Sequence, residues 1–305
     1  MGDIKLFQMS DSGVRELEGH AVAVEKSLQT LIEKQLEPFL GVRFLASEYS
    51  TGKAHGGRID TLGIDENGCP VIIEYKRALN ENVINQGLFY LDWLMDHRGD
   101  FELLVLKHFG KENAETIEWS TPRLLCIAGD FTKYDQYAVQ QIGRNIELIR
   151  YRQFGNNLLI LELVNATSGV GEVTSDNAKK GGKGQIKYAT VTELLEKADT
   201  NLSDLFEALK AFHLALGDDV QMKVLKFYFA FKRLKNFACV EVHPQAEKLL
   251  VFVKVNPDTI QLENDFTRDV RKIGHFGTGD LEISIRSQAD LERAKPLILK
   301  SYEAN

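Results

Sequence analysis

Three cysteines in 305 residues, at positions 69, 126 and 239, are odd in number and far apart. They exclude a disulfide framework and offer no zinc-ligand spacing. Reduced thiols in a cytoplasmic protein are expected instead. Long apolar runs are also missing: nothing approaches the roughly 20 residues a membrane helix needs. The first twenty residues are polar and mixed in charge, without the apolar stretch of a secretory signal. A basic excess is lacking too. The net charge is −7, and residues 1–165 hold 17 basic and 24 acidic side chains against 20 of each in residues 166–305. A chain that binds nucleic acid through its total charge is therefore excluded, although a local basic stripe can sit within a negative total.

What is present is enough for two domains. The stretch 166–188, rich in Gly, Ser, Lys and Asn, reads as a flexible linker. Residues 1–165 alternate helix and strand signals. Residues 22–40 repeat apolar side chains with helical period. Strands are expected over 42–49, 58–64 and 71–76, and a helix over 81–96 with Asn80 as its N-cap. Further strands are expected at 101–109, 123–128, 146–154 and 158–164, with a helix at 134–145. The sum is an α/β domain: a mixed sheet with helices on its faces. Residues 189–305 read as a smaller α+β domain, with helices over 202–216 and 287–302, strands over 227–232, 238–243, 248–255 and 281–285, and a glycine loop over 275–280. That loop lacks the lysine and helix start of a phosphate-binding P-loop.

The chemistry concentrates between Arg58 and Lys76. Glu74 and Lys76 are two apart on one strand and so share a face. Asp65-Glu66-Asn67-Gly68 is a turn signal. A hairpin turning about Asn67 sets Asp60 opposite Glu74, with Cβ atoms about 5 Å apart. Two adjacent carboxylates repel and call for a cation. Lys76 supplies one charge and a divalent metal would supply more. The competing reading is a surface hairpin with an ordinary cross-strand ion pair. The apolar neighbours Val71, Ile72 and Ile73 argue against it, because they bury the strand.

These residues resemble the PD-(D/E)xK nuclease superfamily. Gly57-Arg58-Ile59-Asp60 stands for its first acid, with Ile59 where the superfamily's name has proline. Ile73-Glu74-Tyr75-Lys76 stands for the D/E-x-K element. Gln86 to Tyr90 matches the Q-x-x-x-Y helix of the branch that holds NucS-type endonucleases and RecB-like nuclease domains. The resemblance spans about residues 20–110. It implies a restriction-endonuclease-like fold and hydrolysis of DNA phosphodiesters with Mg²⁺ (or Mn²⁺), in repair or defence. Asp60, Glu74, Lys76, Gln86 and Tyr90 would be catalytic. Asp60, Glu74, the Tyr75 carbonyl and Glu25 on the first helix would hold the metal, with Glu33, two turns on, as the rival to Glu25.

Lys53, His55 and Arg58 are candidates for touching the DNA backbone, whether the DNA is single-stranded, duplex or branched. A homodimer is expected by analogy with nucleases that act on both strands. The C-terminal region resembles a family once labelled a predicted transport protein, and no membrane segment supports that label. The alternative function is a catalytically silent module that keeps the nuclease fold and binds nucleic acid or protein.

Overall fold

A computed structural model describes residues 4–11, 13–20, 25–76, 83–155, 157–167 and 189–305. The chain forms two compact units, residues 1–172 and 173–305. The expected linker lies outside the described residues from 168 onward, as does the expected N-cap Asn80.

The first unit runs β1 (Leu6–Ser10), β2 (Gly13–Leu17), β3 (Gly19–His20), α1 (Glu25–Lys34), α2 (Leu36–Leu40), β4 (Val42–Ser50), α3 (Gly52–His55), β5 (Arg58–Asp65), β6 (Pro70–Lys76), α4 (Val83–Asp96), α5 (Arg98–Phe109), α6 (Lys111–Glu115), β7 (Arg123–Ala128), α7 (Lys133–Gln140), β8 (Asn145–Phe154) and β9 (Leu158–Ala166). β1 and β2 form a separate hairpin. The other seven strands make one sheet in the order β3-β8-β7-β6-β5-β4, with β9 also paired to β8. β4, β5 and β6 are antiparallel, whereas β6, β7 and β8 are parallel. Helices α4, α5 and α6 carry the chain between the parallel strands β6 and β7, as a parallel connection requires. This is the mixed α/β class expected.

Alternation along the strands divides the sheet's residues between two layers of helix. Leu62, Ile64, Ile72, Leu124, Cys126 and Ala128 share a core with Val83, Ile84, Tyr90, Leu91 and Leu94 of α4. On the other face Thr61, Ile73 and Tyr75 are buried, and α1 brings Leu28 and Ile32, four apart, to full burial there. The expected helix over 22–40 is two helices, broken at Gln35 by a non-helical backbone (φ −134°, ψ 34°).

One expected strand is wrong. Residues 101–109 are helical, within α5. The run Phe-Glu-Leu-Leu-Val-Leu-Lys is short and apolar, which fits either state. What decides it is that Phe101 and Val105, one helical turn apart, are buried, while Leu103 and Leu106 stay exposed. Leu, Glu and Lys also favour helix intrinsically.

At the end of the sheet remote from Asp60, a buried ion triad pins three strands. Arg123 of β7 makes two bonds to Glu147 of β8 (2.8 Å each) and one to Asp65 of β5 (2.8 Å). Asp65 also accepts the N–H groups of Asn67 and Cys69 (2.9 Å each), so the same carboxylate fixes the β5–β6 turn.

The second unit runs α8 (Val191–Glu196), α9 (Thr200–Leu214), β10 (Gln221–Val224), β11 (Phe229–Lys232), β12 (Asn236–His243), β13 (Lys248–Val253), β14 (Thr267–Asp269), β15 (Leu281–Ile285) and α10 (Gln288–Glu303). Its six strands form an antiparallel sheet in the order β10-β11-β12-β13-β15-β14. Phe229, Phe231, Val240, Val251 and Ile283 pack one face against Leu205, Phe206 and Leu209 of α9 and Leu291 and Ile298 of α10. The glycine loop is structural. A Cβ on Gly277 would stand 2.7 Å from the Cβ and Sγ of Cys239, so the loop backbone lies directly on β12.

Candidate active site

The β5–β6 ladder pairs Thr61 with Ile73, Leu62 with Ile72, Gly63 with Val71 and Ile64 with Pro70. Carrying that register one step further sets Asp60 level with Glu74. There the backbone ladder stops and the two carboxylates take over its donors. The Asp60 N–H donates to Glu74 Oε1 (3.2 Å), and the Tyr75 N–H donates to Asp60 Oδ2 (3.0 Å). Each acid is thus oriented by the strand that carries the other.

The two acids differ in environment. Asp60 is partly exposed, and Glu74 is fully buried. Glu74 Oε2 has no hydrogen-bond partner among the described residues. Burial, and then the negative charge of Asp60, pushes the Glu74 carboxyl up to about 9, while the Asp60 N–H and Lys76 pull the other way. Without an added cation Glu74 is therefore protonated at neutral pH. Cys126 stands beside Glu74 on β7, its thiol raised by burial and by that carboxylate. Lys76, partly buried, ends β6 on the same face as Glu74.

The Q-x-x-x-Y helix comes to the entrance of β5. Tyr90 Oη accepts the Arg58 N–H (3.2 Å) and the Gln86 amide (3.4 Å). Its ring presses on Gly57, where any Cβ would fall 2.6 Å from the ring. Gly87 lets α4 approach β7 just as closely, because a Cβ there would meet Leu124 at 2.4 Å. Two small residues thereby let Gln86 and Tyr90 reach the site.

The first helix carries both glutamate candidates. Glu25 opens α1, but its side chain lies outside the described residues. Glu33 is bound to Thr61 Oγ1 (2.6 Å) and the Gln29 amide (3.0 Å). Thr61 points to the opposite sheet face from Asp60, so Glu33 serves the α1 layer rather than the carboxylate pair. Gln29 reaches the pair's backbone, donating to the Asp60 carbonyl (2.7 Å).

Sequence reasoning missed Glu48. β4 pairs Ser47 with Thr61 and Tyr49 with Ile59, which leaves Glu48 level with Asp60 from the other side. Its φ of +51° is unusual for a non-glycine residue and breaks the regular strand there. It binds Lys26 (2.7 Å) and Arg58 (3.4 Å), and the Lys26 bond is the main reason its carboxyl is held below the usual range. A glutamate inside a strand pattern was the only signal. Lys53 and Arg58 line an open hollow of about 460 Å³ with Ser50, Gly52, Gly56 and Gly57. The His55 side chain lies outside the described residues.

Among the described residues no group of three or more His, Cys, Asp or Glu is arranged for a metal ion. Two carboxylates with one buried, unpartnered oxygen nevertheless fit Mg²⁺, which takes one or two carboxylates and completes its shell with water and phosphate oxygens.

Comparison with known proteins gives three matches. Residues 191–305 match a family model described as a domain of unknown function, DUF5655. That description names no activity, so the likeness of this region to a transport family gains no support from it. An uncharacterized protein of Haemophilus influenzae is 28% identical over 310 residues, covering 98% of this chain and 100% of that protein. A solved repair endonuclease from Pyrococcus abyssi is 19% identical, covers 45% of this chain and 50% of its own, and has a TM-score of 0.29, a likeness too slight to bear on fold or activity. Among the described residues no helix is long and apolar enough to cross a membrane.

Proposed function

We propose that the first unit is a metal-dependent nuclease that hydrolyses DNA phosphodiesters. The observation that carries this reading is the buried Glu74 carboxylate, with Oε2 unpartnered, placed beside Asp60 where the hairpin ladder opens. Burying a carboxylate next to another costs stability unless a cation compensates.

Asp60 and Glu74 would hold Mg²⁺ or Mn²⁺, with the Tyr75 carbonyl and Glu25 as further ligands. The ion would polarise the scissile phosphate and lower the pKa of a bound water. The chain's own residues have separate tasks. The backbone donors at Asp60 and Tyr75 fix both carboxylates before substrate arrives. Lys76 orients the attacking water and offsets charge developing on the phosphate. Tyr90 and Gln86 hold the Gly57–Arg58 backbone, and so the start of β5, in place. Arg58 and Lys53, both exposed and lining one hollow, suit a backbone phosphate.

The test incubates the full chain with labelled single-stranded, duplex and branched DNA in Mg²⁺ or Mn²⁺, beside Asp60→Ala and Lys76→Ala. Cutting by the native protein and its loss in both variants is expected. A native protein that cuts nothing, or variants that cut equally well, would leave the reading as a silent binding module.

A further inference from the structure

The nuclease reading leaves Glu48 without a task, yet the chain holds it in a backbone conformation that a glutamate adopts only at a cost. Its φ of +51° lies in the left-handed region, where an L side chain crowds the backbone and glycine does not. Strand side chains alternate between faces. The bend at Glu48 suspends that rule. Ser47 accepts a bond from Gln29 Nε2 (3.2 Å) and Glu48 accepts one from Lys26 Nζ (2.7 Å), so two consecutive side chains of β4 both meet α1. A regular strand would send Glu48 to the face opposite Ser47, away from Lys26. Glycine at this position would remove the strain and the carboxylate together. Strain that persists where a simpler residue would relieve it is a mark of a side chain in use.

The use can be followed bond by bond. Glu48 Oε1 takes Lys26, and Oε2 faces Arg58 Nε at 3.4 Å. Lys26 also donates to Gln29 Oε1 (3.1 Å). Gln29 is 3% exposed, and its Nε2 donates to the Asp60 carbonyl (2.7 Å). A cation on the amide oxygen fixes which way the amide NH₂ points. Glu48 therefore grips β5 on both sides of Asp60: at the Asp60 carbonyl through Lys26 and Gln29, and two residues earlier at Arg58. Toward β6 the backbone ladder has already ended, so on that side the strand depends on side-chain bonds. Stability is a poor reason for this arrangement. The Lys26 and Arg58 side chains are 56% and 69% exposed, and ion pairs that open to water contribute little to folding.

We propose that Glu48 is a positioning residue for the Asp60–Glu74 site: through Lys26, Gln29 and Arg58 it fixes the β5 backbone so that Asp60 meets Glu74 in a geometry that can hold a divalent ion. The proposal rests on the metal-dependent reading of that site. Glu48 itself touches neither the ion nor the substrate. An ion with ligand bonds of about 2.1 Å tolerates little displacement of a carboxylate, and groups that orient the ligands govern affinity nearly as strongly as the ligands do.

The test titrates the full chain with Mn²⁺ in the absence of DNA, reading bound metal by water-proton relaxation, and follows urea unfolding of the first unit by tryptophan fluorescence. Glu48→Gly relieves the strain and removes the carboxylate. Glu48→Gln keeps the shape and removes the charge. Asp60→Ala, which removes a ligand, marks the part of the signal that belongs to this site. Expected is a fall of about tenfold or more in Mn²⁺ affinity for both Glu48 variants, with the urea midpoint of Glu48→Gly at or above that of the native chain. An ordinary surface ion pair would leave the affinity unchanged. Native-like affinity in either Glu48 variant overturns the proposal, as does a loss of affinity matched by a lowered urea midpoint in both, which would make the role structural. A native chain that binds no Mn²⁺ removes the metal-dependent reading and this proposal together, whereas native binding that both variants retain removes this proposal alone.

Discussion

Replacing Glu74 by glutamine keeps the side chain's shape and removes its charge, so it isolates what that carboxyl costs the fold. In the metal-free protein burial, and then the charge of Asp60, pushes the Glu74 carboxyl up to about 9, from an ordinary carboxylate value near 4.5. The folded state therefore holds a proton that the unfolded chain releases above about pH 4.5. A carboxyl with a raised folded pKa stabilises the native state at low pH, and that contribution drains away as pH rises toward the folded value. From about pH 5 to about pH 8 the loss is three units at about 1.4 kcal/mol each, or about 4 kcal/mol. Glu74→Gln removes this slope.

Urea unfolding followed by tryptophan fluorescence is the assay. Trp93 and Trp119 are the chain's two tryptophans and both belong to the first unit. In chelator, the native protein should lose about 4 kcal/mol more than Glu74→Gln across that range, and the variant should be the more stable at about pH 8. Millimolar Mg²⁺ at the higher pH should restore the native protein and not the variant, because a ligand that binds only the folded form stabilises it. Parallel pH profiles for the two proteins would refute the reasoning.

Arg123→Leu should destabilise the first unit by about 3–5 kcal/mol, because it strands Asp65 and Glu147 as buried charges; an unchanged urea midpoint would contradict this. Gly87→Ala forces a Cβ against Leu124 and should lift α4 from β7, at a stability cost of about 1–3 kcal/mol, with a fall in cutting greater than that of an exposed helix substitution such as Asp92→Ala. Tyr90→Phe removes the acceptor for the Arg58 N–H; a loss of about 1 kcal/mol and a higher KM are expected, measured by steady-state cleavage. In the second unit, His213 is buried and neutral, its pKa lowered by burial to about 4. A histidine with a depressed folded pKa stabilises above the unfolded value, so α9 should lose roughly 3 kcal/mol as pH falls from about 6.5 to 4. Hydrogen exchange of α9 peptides should show this in the native chain and not in His213→Gln.

Much of the site was legible because it depends on local rules. A period of two sets Glu74 and Lys76 on one face. A tight turn at Asp65–Gly68 sets the register that brings Asp60 level with Glu74. A helical period puts Gln86 and Tyr90 on one side of α4. These relations hold for any hairpin and helix with that spacing, so the sequence by itself determined which residues could meet.

Other features needed the fold. Residues 101–109 carry an apolar pattern that suits strand or helix, and packing of Phe101 against Trp119 and the α4 layer decides for helix. Glu33 and Glu25 share a helix, yet which sheet face α1 covers decides that Glu33 meets Thr61. Glu48 comes level with Asp60 only because β4 pairs on the far edge of β5. The burial of Glu74, which pushes its carboxyl up to about 9, depends on β7, a strand far away in the chain whose Cys126 pairs with it. Spacing along the chain fixes which residues can face each other; burial and long-range contact decide what their charges cost.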